Sequence, residues 1–208
     1  MHADEPSLDD SFAIKTPEDA ARLYRAWAPT FDRGFADRLG YRLPELVAEA
    51  FVKAGGLGPV LDVGAGTGLV GERLGAFGAG PLDGIDLSPE MLAEARRKEV
   101  YRRLIQADLS LPLDLADAAY GGVVSSGIFT HGHLGPQVFD ELLRVAAPGA
   151  VFALSVNAGV YVERGFQARF AGMAARISGF SIHEAPIYDR PDPRHAGQRA
   201  QIVVFRKI

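Results

Sequence analysis

Leu61-Asp62-Val63-Gly64-Ala65-Gly66-Thr67-Gly68-Leu69 joins a short apolar run to a helical pattern through three glycines at alternate positions. Glycine lets the chain turn tightly and lets a ligand approach bare backbone. Residues 60–63 read as a buried strand. Residues 69–77 read as a helix with Val70, Leu74 and Phe77 aligned. A glycine turn at the carboxyl end of a strand is where doubly wound sheets hold ligands. Two glycine spacings compete. Gly66, Gly68 and Gly71 satisfy the G-x-G-x-x-G of dinucleotide sites, but Gly66 lies three residues beyond the strand and Gly71 falls within the helix. Gly64, Gly66 and Gly68 form a better-placed G-x-G-x-G. Asp62 beside the turn repels phosphate and attracts a cation. These residues favour a cationic ligand without phosphate over a dinucleotide, with a plain structural turn as the third reading.

Downstream the pattern alternates. Residues 82–87 read as a strand that carries Asp86 at its end, residues 89–98 as a helix capped by Ser88 with Pro89 at its first position, and residues 102–107 as a third strand. A fourth strand (122–126), a helix (136–146), a fifth strand (150–156) and a weaker helix (164–176) follow. Strands at 180–188 and 201–206 have no helix between them and are expected to pair antiparallel at one edge. The expected fold class is α/β, a seven-stranded and mostly parallel sheet with an antiparallel C-terminal hairpin and helices on both faces. Upstream, Thr16-Pro17-Glu18-Asp19 reads as a capped helix start, with Ala20, Leu23, Tyr24 and Trp27 on one face and Pro29 as its end. A second helix runs from about Leu43 to Lys53. The expected organisation is a flexible N-terminal tail (1–15), an N-terminal helical cap (16–54) and a ligand-binding domain (55–208).

The 208 residues include no cysteine, which excludes disulfides, zinc-thiolate sites, iron–sulfur clusters and cysteine nucleophiles. A net charge of −4 makes no electrostatic case for nucleic acid or an anionic membrane as partner. No apolar run approaches the ~20 residues of a membrane span. The acidic start MHADEPSLDD is unlike a signal or transit peptide. The expectation is a cytoplasmic protein without nucleic-acid or membrane partners, its oligomeric state left open. The run Arg96-Arg97-Lys98-Glu99-Val100-Tyr101-Arg102-Arg103 begins at a helix C-terminus, where cations are favourable, and reads as a solvated face rather than an RNA patch.

LDVGAGTG (61–68), GIDLSPEMLAEAR (84–96), QADL (106–109) and LRVAAPGAVFALSV (143–156) resemble successive motifs of the class I S-adenosylmethionine-dependent methyltransferases. They correspond in order to the first motif, the second strand with its helix, the adenine-side motif and the fifth-strand region. The resemblance covers about residues 20–208 and implies a Rossmann-like methyltransferase sheet. YRAWAPTFDRGF (24–35) and GIFTHGHLGPQVFDELLR (127–144) look, more loosely, like the subgroup of Williams–Beuren syndrome region methyltransferase-like proteins. S-adenosylmethionine carries a sulfonium and an ammonium and no phosphate, in keeping with Asp62. The resemblance implies that Asp62 holds the methionine ammonium, directly or through water, and that the backbone at Gly64, Ala65, Gly66 and Gly68 lies along the methionine. It implies that Asp86 accepts hydrogen bonds from both ribose hydroxyls and that Leu87 and Met91 border the adenine. Asp108 then receives the exocyclic amine, Leu109 joins the cofactor site, and Ser126 lies near the reacting methyl. Independently of the resemblance, Asp86 is an acid ending a second strand about 20 residues beyond the glycine loop, as ribose-binding acids are.

Methyl transfer from a sulfonium is an in-line displacement. It needs alignment and a dry pocket, and a base only if the acceptor must lose a proton. The loop Ser125-Ser126-Gly127-Ile128-Phe129-Thr130-His131-Gly132-His133 offers His131 or His133 as that base, or as capping and solvated residues. Two histidines are too few for a closed metal site, and no metal ligand is assigned. Tyr24, Trp27 and Phe129 are candidate substrate or lid residues, although Tyr24, Trp27 and Phe31 equally make a helix stripe. SSGIF (125–129) stands where an amino-methylating branch of the family carries Asp/Asn-Pro-Pro-aromatic, which argues against methylation of nucleic-acid bases. The expected function is methyl transfer from S-adenosylmethionine to an oxygen or nitrogen of a small molecule. The alternatives are a non-catalytic S-adenosylmethionine-binding sensor or partner subunit and, more distantly, a nicotinamide-dependent oxidoreductase.

Overall fold

The computed structural model describes residues 6–14 and 16–208. Its strands are β1 (Val60–Val63), β2 (Leu82–Asp86), β3 (Tyr101–Gln106), β4 (Tyr120–Phe129), β5 (Ala146–Asn157), β6 (Ile177–Pro186) and β7 (Arg199–Lys207). They form one sheet in the order β3-β2-β1-β4-β5-β7-β6. The first five run parallel, and β7 is antiparallel to both β5 and β6. Within the late antiparallel pair it is β6 that forms the edge. β7 buries Ile202, Val203 and Phe205, so it takes the position paired on both sides, whereas β6 is exposed from Ser178 to Glu184.

Strand residues alternate between two cores. Leu61, Val63, Val123, Phe152 and Leu154 enter one, and Val60, Val124, Val151 and Ala153 enter the other. The helices that cover them are α1 (Leu8–Phe12), α2 (Pro17–Trp27), α3 (Leu43–Lys53), α4 (Leu69–Ala76), α5 (Pro89–Arg96), α6 (Phe139–Val145), α7 (Ala158–Tyr161) and α8 (Phe166–Gly172). None of the described helices is long and apolar enough to cross a membrane.

Helix α2 begins with the anticipated capping box. Thr16 Oγ1 accepts from the Asp19 N–H, and Asp19 Oδ2 accepts from the Thr16 N–H, both at 3.1 Å. Between α2 and α3, Phe31–Asp37 forms a π-helical turn that buries Phe35 and Ala36, an element no periodicity signalled. The stretch expected as a flexible tail also differs. Positions 1–5 and 15 lie outside the described residues, but Leu8–Phe12 folds as a short helix with a Ser7–Asp10 capping box. Ser11 and Ile14 are buried there. The cause is tertiary, since Asp9 pairs with Arg194 at 2.6 Å across 185 residues of sequence.

The basic run is largely an internal ion-pair network. Lys98 pairs with Asp32 (2.8 Å) and Glu72 (2.9 Å), and Arg97 with Glu94 (2.6 Å). Arg102 (2.8 Å) and Arg103 (2.7 Å) converge on Asp83, a fully buried carboxylate that also accepts from the Tyr120 hydroxyl (2.9 Å). Burial opposes the ionisation of Asp83, but these donors outweigh it and bring its pKa down to about 2.

Candidate active site

A cavity of about 470 Å³ lies against the carboxyl ends of β1, β2 and β4, with residues of α1, α2 and the π-helical turn on its wall. Gly64, Ala65, Gly66 and Thr67 of the glycine loop line it. Gly64, Gly66 and Gly68 have φ of 70°, 54° and 87°, a left-handed backbone that side chains rarely adopt. A Cβ at Gly64 would stand 2.6 Å from Ile128, whereas one at Gly66 would meet nothing within 4 Å. The loop backbone at Gly66 thus faces open space. Gly71 lies inside α4, and a Cβ there would collide with the Tyr101 ring. It serves packing, which removes it from the alternative glycine triplet.

Asp86 ties this loop to the start of α5. Its Oδ2 accepts from the Gly66 N–H (2.8 Å) and its Oδ1 from the Ser88 N–H (2.9 Å). Both oxygens keep acceptor capacity for a ligand. Burial raises the Asp86 pKa against the lowering effect of backbone donors at Ser88, Gly66 and Leu87. Leu87, Met91 and Leu109 supply apolar wall. Asp108 also lines the cavity, with its Oδ1 accepting from the Ser110 N–H (2.8 Å).

Asp62 requires a correction. Strand alternation places it on the face of Val60, and its fully buried side chain accepts from the Tyr101 hydroxyl at 2.6 Å. It is not on the cavity wall, so direct contact with a ligand ammonium is not its geometry. Its Oδ1 has no hydrogen-bond partner. Burial pushes its pKa up to about 7; the Tyr101 hydrogen bond works against that rise and the nearby Asp86 charge adds to it.

The β4–β5 ladder slips between Ser125 and Phe129, and the residues released from pairing, Ser126, Gly127 and Ile128, line the cavity. The Gly127 N–H donates to Ser155 Oγ on β5 (3.0 Å), which steadies this turn. Opposite lies an aromatic roof of Tyr24, Trp27, Phe31, Phe35, Tyr41 and Tyr188, with ring centroids 4.9–6.2 Å apart along the chain of contacts. Tyr24 and Trp27 are therefore helix stripe and cavity wall at once. Phe129 reaches the wall but is mainly core, packed on Phe139 and Phe166.

The two histidines separate. His133 lines the cavity, with Nδ1 2.6 Å from the His131 carbonyl and Nε2 2.7 Å from the Tyr24 hydroxyl. A carbonyl only accepts, so Nδ1 carries the proton and Nε2 accepts from Tyr24. Burial lowers the His133 pKa, against the raising effect of the His131 carbonyl. His131 is exposed and off the wall, and what it offers His133 is a backbone carbonyl.

Several wall residues carry no sequence signal: Leu8 and Ser11 from α1, Tyr41, Asn157, Arg164, Tyr188 and Gln198. Thr67, inside the glycine motif, likewise has no signal of its own beyond its neighbours. Its hydroxyl donates to Asp32 Oδ1 at 2.5 Å and fastens the loop to the π-helical turn. Open loop backbone, two wall carboxylates and apolar surfaces suit a ligand with hydroxyls, an amine and positive charge, and oppose one with phosphates.

Residues 61–154 match the protein family described as methyltransferase domain. Methyltransferase-like protein 27 of Homo sapiens is 34% identical over 148 residues, which cover 68% of this chain and 60% of that protein. The trans-aconitate 2-methyltransferase of Paracidovorax citrulli is 30% identical over 135 residues, covering 62% and 50%. The chain thus spans between half and 60% of the length of these curated relatives. A solved structure concerned with the conversion of a disulfide bond into a thioacetal group during echinomycin biosynthesis is 25% identical, with a TM-score of 0.66 over 92% of each chain. The family match over residues 61–154, the relatives and the shared architecture agree with the glycine loop and the acid ending β2: this part of the chain is similar to a methyltransferase domain.

Proposed function

We propose that the chain is an enzyme that transfers the methyl group of S-adenosylmethionine to an oxygen or nitrogen atom of a small molecule. The observation that carries this reading is the continuity of the cavity, which runs from the glycine loop and Asp86 to the aromatic roof and gives donor and acceptor one shared space. The cofactor supplies a methyl already activated on a sulfonium, so alignment and exclusion of water are the protein's task. Asp86 accepts the ribose hydroxyls while still holding Gly66 and Ser88. The backbone of residues 64–68 follows the methionine, Leu87, Met91 and Leu109 flank the adenine, and Asp108 accepts its exocyclic amine. Ser126 sits at the methyl. Asp62 acts from below the loop, through Tyr101, as a positioning residue.

An acceptor that must lose a proton has a route. Its proton passes to the Tyr24 oxygen as the Tyr24 proton passes to Nε2 of His133, which its contact with the His131 carbonyl holds in the accepting tautomer. The trans-aconitate 2-methyltransferase relative has, by its name, a small-molecule acceptor, which supports the same class here.

Calorimetry tests the donor: S-adenosylmethionine and S-adenosylhomocysteine are expected to bind and NAD to be silent. Saturable NAD binding without a response to S-adenosylmethionine would overturn the reading. A metabolite extract incubated with methyl-labelled donor then identifies the acceptor from the product that gains label. One observation favours a second reading, a non-catalytic binder: both ring nitrogens of His133 are already engaged. Tight cofactor binding with no labelled product in any extract moves that reading ahead.

A further inference from the structure

Arg164, between α7 and α8, is the only lysine or arginine among the described residues that line the cavity. The loop after β4 grips its guanidinium. Nη1 donates to the Thr130 carbonyl, and Nη2 donates to the His133 carbonyl at 2.9 Å. These bonds orient the fork without neutralising it, and three of its five N–H donors remain. Among the described residues no carboxylate pairs with Arg164, whereas Arg102, Arg103 and Arg169 each have one and Arg144 has two. The wall carboxylates Asp86 and Asp108 belong to the ends of β2 and β3, while Arg164 follows β5, on the opposite side of β1 in the sheet. A half-buried cation among aromatic and apolar side chains loses hydration, and a bound anion is what restores that loss.

We propose that Arg164 is the anion-binding group of the acceptor half, and that the acceptor is a small carboxylic acid whose carboxylate pairs with the guanidinium while its apolar body lies under the aromatic roof. This rests on the reading of the cavity as a methyl-donor site. The methionine carboxylate of the donor is the rival partner for the same charge, and the test separates the two.

The full chain, saturated with S-adenosylhomocysteine, is titrated calorimetrically with hexanoate and with phenylacetate, each against its neutral amide. At least one acid is expected to bind about 10–100-fold more tightly than its amide, the scale of a charge-assisted pair. Arg164→Gln is expected to abolish that preference while keeping S-adenosylhomocysteine affinity within about twofold, which also reports an intact fold. Arg164→Met serves if Arg164→Gln does not fold. A wild-type chain that binds neither acid, or binds acid and amide alike, overturns the proposal. So does a folded Arg164 variant that loses S-adenosylhomocysteine affinity, because Arg164 then holds the donor. Failure of the wild-type chain to bind S-adenosylhomocysteine at all removes the methyltransferase reading and this proposal with it; binding without an acid preference removes the proposal alone.

Discussion

The proposed donor and acceptor ends of the cavity are built at different distances along the chain. At the donor end, Asp86 reaches Gly66 across 20 residues and Ser88 across two, all within one strand–loop–helix unit and its neighbour. At the acceptor end, Tyr24 meets His133 across 109 residues, Tyr41 bridges to Tyr188, and Arg164 holds the His133 carbonyl across 31. The donor end is therefore assembled by local geometry. The acceptor end depends on how the cap, the loop after β4 and the segment before β7 pack together. A contact made by remote segments can be remodelled without disturbing a local one, so the two ends are expected to respond separately to substitution.

The largest expected effect tests that separation. His133→Gln should lower turnover on the identified acceptor by about 10²–10⁴-fold, the usual weight of a general base, with the cofactor dissociation constant nearly unchanged. Wild-type turnover should rise with pH through a value below the ordinary histidine range, because burial lowers the His133 pKa. His131→Gln should keep turnover, since the carbonyl it lends to His133 survives the substitution. Equal losses of turnover and cofactor affinity in His133→Gln would show that the two ends are one unit.

Asp86→Ala comes next. In the proposed pose this substitution removes two charge-assisted hydrogen bonds to ribose, so cofactor binding measured by calorimetry should weaken by roughly 10–1000-fold in a folded protein. An unchanged dissociation constant would place the ribose elsewhere.

The sheet itself contains a second contrast, between two fully buried aspartates. Asp83, met by two arginines and a tyrosine, is ionised down to about pH 2, whereas Asp62, met by one phenol, titrates near 7. The folded Asp62 carboxyl binds its proton more tightly than the unfolded one. Its contribution to stability is complete below about pH 4 and is lost as the pH rises through about 7. At ~1.36 kcal/mol per unit, the cost is at most ~4 kcal/mol and is expected to be on the order of 1–3 kcal/mol. Asp62→Asn should therefore flatten the pH dependence of denaturant unfolding between pH 4 and 8 and stabilise the protein at the alkaline end. An unaltered slope would mean that Asp62 keeps an ordinary pKa.

The smallest effect concerns the tether between the two ends. Asp32 joins Thr67 of the glycine loop to Lys98 from a partly exposed position on the π-helical turn. Asp32→Ala should weaken cofactor binding only about two- to tenfold, as a single half-exposed link allows. A loss as large as that of Asp86→Ala would mean that the cap sets the donor end after all.

The sheet, its alternating helices, the glycine loop and Asp86 are all legible in the amino-acid order. Each rests on periodicity or spacing within some 25 residues: the apolar runs, the capping box at Thr16, the G-x-G-x-G turn and the acid ending β2. The helix at Leu8–Phe12 has a capping box at Ser7 but is too short to show an apolar period, and its Asp9 meets Arg194 from the far end of the chain. The same holds for the side of the strand that Asp62 takes and the Tyr101 hydroxyl that captures it, for the selection of His133 over His131, and for Arg164 on the wall. Local propensity and spacing act along the chain and can be read there. Which buried polar groups meet, and which side chains share a cavity, follows from close packing among segments more than 30 residues apart, and only the folded protein brings those segments together.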